Sequence, residues 1–341
     1  MVATRFQLLE SRERTSEDQV TLQRSRARAA ASLVAALAFV VGPLGAAELA
    51  AQTERFEFSE VHMGTEFRIV FYASDAQAAD VAVRSTFVAL ARLDSLFSDY
   101  RDDSEIAEVA ARAGSGALHV ASPELTSLLT EAVRWAERSG GAFDPTVGPL
   151  TKLWRWSARR GELPDSSRLH EAKSRVGFEG LRIEPSGGVA LMRSGMSLDL
   201  GGIAKGFAGD VMLANMAGFG VEAALIDAGG DLVAGAPPPG TDGWRVIDSS
   251  GAVLLLAHGA VATSGDRYRY LEVDGVKYSH IVDPRTGLGV IDAPTVTVLA
   301  PNGTTADVLA SALSILDPEK GADLLASVEG ARRLESQGAH R

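Results

Sequence analysis

The ten residues SLDLGGIAKG (197–206) change character halfway. SLDL, flanked by apolar residues, reads as a strand. Two glycines follow, and GIAKGFAGDVMLANMAGFG (202–220) has helical spacing. Glycines let a backbone approach closely, and a helix N-terminus offers free N–H groups that suit a phosphate. Lys205 falls in the first helical turn, where the helix dipole disfavours a cation. A lysine kept there suggests a ligand, although an ordinary strand–turn–helix with a surface lysine has the same sequence.

Outward from this segment, helices alternate irregularly with short strands. ERFEFSEVHMGTEFRIVFYA alternates apolar and polar residues on both sides of MGT and predicts a strand pair. Residues 75–98 and 122–141 carry apolar spacing near 3.6 and predict amphipathic helices. The second opens with Ser122 as N-cap and Pro123 in the first turn, and closes at Gly140–Gly141. LHEAKSRVGFEGLRIEPSGGVALMRSGMSLDL holds a short helix and two strands, and EAALIDAGGDLVAGA a buried strand with a glycine turn. Short strands dominate from Gly243 to Leu299, and TADVLASALSILDPEKGADLLASV reads as two helices separated by a DPEKG turn. The pattern is α+β, with mixed helices and mainly antiparallel sheets.

The chain has 341 residues, 46% of them apolar, with 33 Lys plus Arg against 44 Asp plus Glu, a formal net charge of −11. Such a chain repels nucleic acid, so no nucleic-acid partner is expected, and a polyanionic ligand needs a local device such as a metal ion. With no cysteine, disulfides, thiolate chemistry and a lipidated N-terminal cysteine are excluded. Three arginines in RSRARAAAS (24–32) precede the uncharged LVAALAFVVGPLGAA (33–47) and the small residues of AAELAAQ. This is the pattern of a secretory signal. Its apolar run falls short of the ~20 residues of a membrane span. The expectation is an N-terminal extension and signal peptide over 1–51, export without a lipid anchor, a mature start near Gln52, and a single domain over 52–341.

In TTADVLASALSIL (304–316), Asp307 and Ser311 are four apart and share a helix face. A carboxylate and a hydroxyl on an otherwise apolar face suit a hard cation such as Mg2+; Asp307 near the helix start could equally favour the dipole. Other islands set Gly, Asp or Thr beside large apolar residues: SDYRDDSEI (98–106), SGGAFDPTVGPLTKLW (139–154), IDAGGDLVAG (226–235), AVATSGDRYRY (260–270) and YSHIVDPRTG (278–287). Each is weak alone.

Taken in order, MGTEFRI, DSLFSDYRDDSEI, GGAFDPTVGPL, DLGGIAKGFA, IDAGGDL, AVATSGDRYRY, SHIVDPRTG and ADVLASAL resemble the FAD:protein FMN transferases, the ApbE-like flavin transferases, across roughly residues 56–325. The resemblance implies an ApbE-like fold, related to the T-fold. It implies Mg2+-dependent transfer of FMN from FAD to a threonine hydroxyl of a target flavoprotein, with release of AMP. The metal ligands it implies are Asp307, Ser311 and the backbone carbonyl at Gly202. Asp199 and Lys205 would contact FAD; Ala142, Phe143 and Asp144 would border the flavin nucleotide; Met63 and Tyr100 would pack on its rings or ribose, with Ile281 beside it. His280 would be the base or acid near the acceptor hydroxyl, an ordinary histidine pKa of ~6.5 suiting proton abstraction, although a structural histidine has the same sequence. Pro284 and Gly287 shape the turn after it, locked by an Asp283–Arg285 ion pair.

The resemblance places the protein in the periplasm or on the outer face of the inner membrane, in peripheral contact with membrane redox complexes. Two departures stand out. Serine stands at position 311 where the family usually has threonine, and the tail VEGARRLESQGAHR is a shortened version of a last strand. Two other readings stand beside the transferase: a metal-dependent FAD pyrophosphatase on the same site, giving FMN and AMP, and a non-enzymatic exported flavin-binding protein, which would keep the loops but lose the metal helix and which Asp307 and Ser311 argue against.

Overall fold

The computed structural model describes residues 7–8, 53–247, 252–265 and 270–334. The signal segment and the expected start near Gln52 lie outside the described residues. Gln7–Leu8 forms a two-residue strand, β1. β2 (Glu54–His62) and β3 (Thr65–Ala73) form the hairpin expected around MGT. Its two-residue turn has Met63 at φ 49° and Gly64 at φ 73°. Two positive φ angles mark the tight turn whose twist matches the strands, at a strain cost at Met63 that a glycine would not incur.

α1 (Ala76–Phe97) starts at Asp75, whose carboxylate accepts from the Ala78 N–H at 2.7 Å. α2 (Glu105–Ala111) was not anticipated, and β4 is His119–Val120. α3 (Pro123–Arg138) is capped by Ser122 as expected. α4 (Gly148–Arg160) was not anticipated either: Pro149 sits in its first turn and Gly161, at φ 68°, ends it. α5 (Ser166–Ser174), β5 (Leu181–Ile183) and β6 (Gly188–Leu191) follow. SLDL is not a strand. It is extended chain with one isolated parallel bridge, Val147 to Ser197, and the Asp199 N–H donates to the Pro145 carbonyl at 2.9 Å.

After α6 (Ala204–Gly218) the glycine turn joins two strands rather than ending one, β7 (Ala224–Ala228) and β8 (Asp231–Ala234). Then come β9 (Trp244–Ile247), β10 (Val253–Leu256), β11 (Gly259–Ser264), β12 (Tyr270–Val273), β13 (Val276–Val282), β14 (Gly289–Ile291) and β15 (Val296–Ala300). α7 (Gly303–Leu313) and α8 (Pro318–Ala326) are the two expected helices, but DPEKG does not separate them. Asp317 caps α8 through the Lys320 N–H at 3.0 Å, and PEKG is its first turn. The tail forms β16 (Arg332–Leu334) on β15.

The main sheet runs β16-β15-β11-β8-β7-β3-β2, and its pairings are antiparallel. Side chains alternate along β3: Phe67, Ile69 and Phe71 enter the large core with α1, α6 and α7, whereas Val70 joins Trp244, Val246 and Leu256 on the opposite face. A separate cluster of Leu150, Trp154, Ala172, Leu271 and Val282 ties α4 and α5 to the β12–β13–β14 sheet. The architecture is α+β, as the sequence implies.

Candidate active site

The site is set by where α6 crosses α7. A β-carbon built on Gly206 would lie 2.1 Å from the Gly303 carbonyl oxygen, and one on Gly303 would lie 2.5 Å from that of Gly206. Only glycine permits so close a backbone approach. Asp210, one turn along α6, fixes the contact. Its carboxylate accepts from the N–H groups of Gly303 and Thr304 at 2.6 and 2.8 Å and from the Thr304 hydroxyl at 2.6 Å. Asn302 caps the same helix through the Thr305 N–H at 2.9 Å. Two carboxamide and carboxylate acceptors thus satisfy the free donors that open α7.

This crossing places the buried Asp307 beside the start of α6. Its Oδ2 accepts from the Gly206 N–H at 3.1 Å, and Lys205 Nζ stands 3.4 Å from Oδ1. The same ammonium is hydrogen-bonded to Asp231, which also accepts from the Thr263 N–H at 3.0 Å. Burial pushes the Asp307 carboxyl up to about 6; Lys205 opposes that rise and Asp231 adds to it. Burial works against the Lys205 ammonium, but Asp231 and Asp307 outweigh it and hold its pKa above the ordinary value.

Gly202 meets Ser311 one helical turn beyond Asp307. A β-carbon on Gly202 would lie 2.8 Å from Ser311 Oγ and 3.5 Å from the edge of the Phe143 ring. Ser314 spends its hydroxyl on the Ala310 carbonyl at 2.8 Å, whereas no such bond engages Ser311 among the described residues. A carboxylate, an uncommitted hydroxyl and the glycine loop's backbone therefore converge. They are oxygen donors of the kind Mg2+ takes, and one carboxylate is enough when substrate phosphates complete the shell. Among the described residues no group of three or more His, Cys, Asp or Glu could hold a metal, and this donor set needs none.

The other expected residues lie around this centre. Asp199 is fully engaged: Oδ1 accepts from the Gly201 N–H at 2.9 Å, and Oδ2 from the Thr151 hydroxyl at 2.7 Å and Arg155 at 3.0 Å. Arg155 also donates to Asp99 at 2.5 Å and covers the exposed Tyr100 ring, 4.7 Å from its centroid. Burial, and then the nearby Asp199 charge, raise the Asp99 pKa despite Arg155. Ala142, Phe143 and Asp144 are buried. Asp144 commits its oxygens to Thr146 N–H and hydroxyl at 2.7 and 2.6 Å and to the Phe178 N–H at 3.0 Å, so it shapes the loop that carries Phe143.

Met63 lies half-buried against the main core in its strained turn. The neighbouring Thr65 touches the β7–β8 turn, where a β-carbon on Gly229 would fall 2.3 Å from its hydroxyl. His280 is exposed on β13, between the partly buried Tyr278 and the buried Val282, and Ile281 is partly buried. The turn behind them is locked as expected: Arg285 Nε and Nη2 donate to Asp283 at 2.9 and 3.0 Å, and the Gly287 N–H donates to the Asp283 carbonyl at 2.7 Å. Trp154 of α4 anchors that turn by donating to the Gly287 carbonyl at 2.9 Å. The structure thus gathers Gly202, Lys205, Asp307, Ser311 and Phe143 into one cluster, ties Asp199 to Tyr100 through Arg155, and leaves Met63, His280 and Ile281 on separate elements.

Sequence reading passed over Asp210, Asp231 and Arg155. Asp210 is a lone acid in the apolar GFAGDVML, Asp231 follows directly on a Gly-Gly pair, and Arg155 sits between two tryptophans. Each placement is costly without a partner, and that was the available signal.

An FAD:protein FMN transferase of Treponema pallidum is 35% identical over 309 residues, 83% of this chain and 85% of its own length. One of Vibrio cholerae is 33% identical over 79% of this chain and 83% of its own. The crystal structure of the Thermotoga maritima ApbE protein superposes with a TM-score of 0.72 at 29% identity, over 83% of this chain and 97% of that one. The apo flavinyl transferase ApbE of Pseudomonas stutzeri also gives 0.72, at 28% identity over 82% and 90%. The ApbE family pattern itself runs from residue 63 to residue 333, taking in the Met63 turn, the α6–α7 crossing and β13. On that match the chain belongs to the ApbE family.

Proposed function

We propose that this protein is an FAD:protein FMN transferase that uses Mg2+ and a threonine acceptor. The threonine hydroxyl attacks the FMN phosphorus of FAD, a new phosphoester bond forms, the diphosphate P–O bond breaks, AMP leaves with the bridging oxygen, and the hydroxyl proton passes to a base. The observation that carries this reading is the convergence of Asp307, Ser311 and Gly202 at the α6–α7 crossing. Asp307 and Ser311 with the Gly202 carbonyl would hold magnesium, which when bound offsets the charge on the diphosphate. Relatives named FAD:protein FMN transferase support the reaction, and a net charge of −11 makes local charge compensation necessary.

The chain's own residues supply the rest. At the Gly201–Gly202 turn and the start of α6 the N–H groups of Gly201, Ile203, Ala204 and Gly206 are engaged within the protein, which leaves those of Gly202 and Lys205 to meet phosphate. Asp199 holds that turn in shape by accepting from Gly201. Arg155 fixes the Tyr100 ring as a wall for the nucleotide, and Phe143 packs against Gly202. His280, exposed on β13, accepts the threonine proton. Residues 52–341 act as one exported catalytic unit, working outside the cytoplasm on flavoproteins of membrane redox complexes.

The test mixes full-length protein with FAD and Mg2+, with and without an acceptor domain carrying the threonine motif. The reading predicts AMP together with an acceptor heavier by one FMN. AMP of equal yield without acceptor, and no adduct, would mean an FAD pyrophosphatase; no AMP in either mixture would mean a flavin binder.

A further inference from the structure

Asp231 has no part in the ligand set above, yet it is buried and fixed on both sides. One oxygen accepts from the Thr263 N–H at 3.0 Å and the other takes the Lys205 ammonium. Asp307 is fixed differently. The Gly206 N–H holds Oδ2, so Oδ1 is the oxygen that faces Lys205, 3.4 Å from Nζ. Lys205 therefore stands where a cation bound to Asp307 would stand, and it leans on a second carboxylate that is independently anchored. Its side chain is 30% exposed, with a long stem that can pivot.

We infer that Lys205 is a resident counter-ion that competes with the divalent cation for Asp307, and that Asp231 is the positioning residue that keeps the ammonium when the metal arrives. This rests on the cation reading of Gly202, Asp307 and Ser311. Two carboxylates and one ammonium leave the cluster at −1, stable without metal and a poor match for a free divalent ion. The diphosphate of the substrate adds the negative charge that makes metal binding favourable, so metal and nucleotide enter together. Asp231 makes this reversible, because the displaced ammonium moves onto a carboxylate already held in place rather than into an unpaired state.

The test is calorimetric titration of Mg2+ alone into the full chain, without nucleotide. Lys205→Met leaves −2 facing the ion and tightens Mg2+ binding by about tenfold or more. Asp231→Asn leaves Lys205 with Asp307 as its one carboxylate and weakens binding by about tenfold. Opposite shifts are the signature; a purely structural role for the cluster would weaken binding in both variants. If Lys205→Met is too unstable to titrate, its melting temperature is followed against Mg2+, and the metal-induced rise should exceed that of the wild type. Weaker or unchanged binding in Lys205→Met, or unchanged binding in Asp231→Asn, overturns the inference. Asp307→Ala separates the two levels: if it binds Mg2+ like the wild type, the cation reading itself fails.

Discussion

Gly206→Ala tests the crossing on which the site depends. The added methyl would lie 2.1 Å from the Gly303 carbonyl oxygen, 2.4 Å from its carbon and 2.9 Å from Asp307 Cβ. Ordinary contact begins near 3.4 Å, so 3.4 − 2.1 = 1.3 Å must open between two helix backbones. Overpacking against side chains costs about 1–3 kcal/mol. Here the obstruction is backbone held by Asp210, so the cost falls at or above the top of that range, about 3 kcal/mol. At roughly 2 °C per kcal/mol for a chain of this size, the melting temperature should fall by about 6 °C. The same shift carries Asp307 away from the Gly202 loop by more than the ~0.2 Å that metal coordination tolerates, so Mg2+ binding should be lost at temperatures where the variant is still folded. Calorimetric melting and Mg2+ titration measure both. Gly218→Ala is the control within the same helix: its methyl meets nothing within 4 Å and φ there is not positive, so stability should rise by up to ~0.5 kcal/mol. A Gly206→Ala protein melting within a degree of the wild type, with normal Mg2+ response, would refute the close crossing.

Four further outcomes follow from the same geometry. Asp307→Ala should abolish both Mg2+ binding and AMP release, and a chelator should do the same to the wild type; turnover surviving either treatment would remove the metal from the account. His280→Ala should bind FAD normally and lower FMN transfer by about 10²–10⁴-fold, the usual contribution of a proton-accepting side chain; unimpaired transfer would make His280 structural. Arg155→Met leaves Asp99 and Asp199 facing each other without their shared partner and should cost roughly 2–3 kcal/mol, less than the 3–5 of a fully buried pair because Arg155 is part-exposed; FAD affinity should fall with it as Tyr100 loosens. The Asp307 carboxyl, raised to about 6 from the ordinary carboxylate value, favours folding when protonated. Its contribution is therefore fully present only below the ordinary carboxylate value of 3.8, declines as pH rises from there and is lost by about 6, while Mg2+, which needs the carboxylate, binds more weakly below pH 6 than above it. Melting curves from pH 5 to 7, with and without Mg2+, should diverge as pH rises; parallel curves would contradict the burial of that group.

What the sequence made legible was local. α1 is marked by apolar residues that recur on one face, and α3 by the same spacing together with Ser122–Pro123, a cap that satisfies its own helix end. The Met63–Gly64 turn stands between two alternating strands. The motifs at 199–208 and 306–313 pointed to Gly202, Lys205, Asp307 and Ser311, and the fold brings those four together. What escaped depended on distant partners. SLDL has the apolar look of a strand, but its backbone bonds to the loop before α4, so burial came without a sheet. α4 was hidden by the Gly, Asp and Pro that precede it, and by tryptophans and arginines that mask the buried series Leu150, Trp154, Ser157. DPEKG looked like a break because Asp-Pro opens turns, yet the same pair caps and starts a helix. Asp231 reaches Lys205 across 26 residues, and Asp210 reaches Gly303 across 93, contacts that no local pattern announces.

The most direct measurement is anomalous diffraction from crystals grown with FAD and Mn2+, which replaces Mg2+ and scatters strongly. The account predicts one strong peak bounded by the Asp307 carboxylate, the Ser311 hydroxyl and the Gly202 carbonyl, with the FAD diphosphate completing its shell. A peak elsewhere, or FAD bound with Lys205 still on Asp307 and no metal between them, would contradict it.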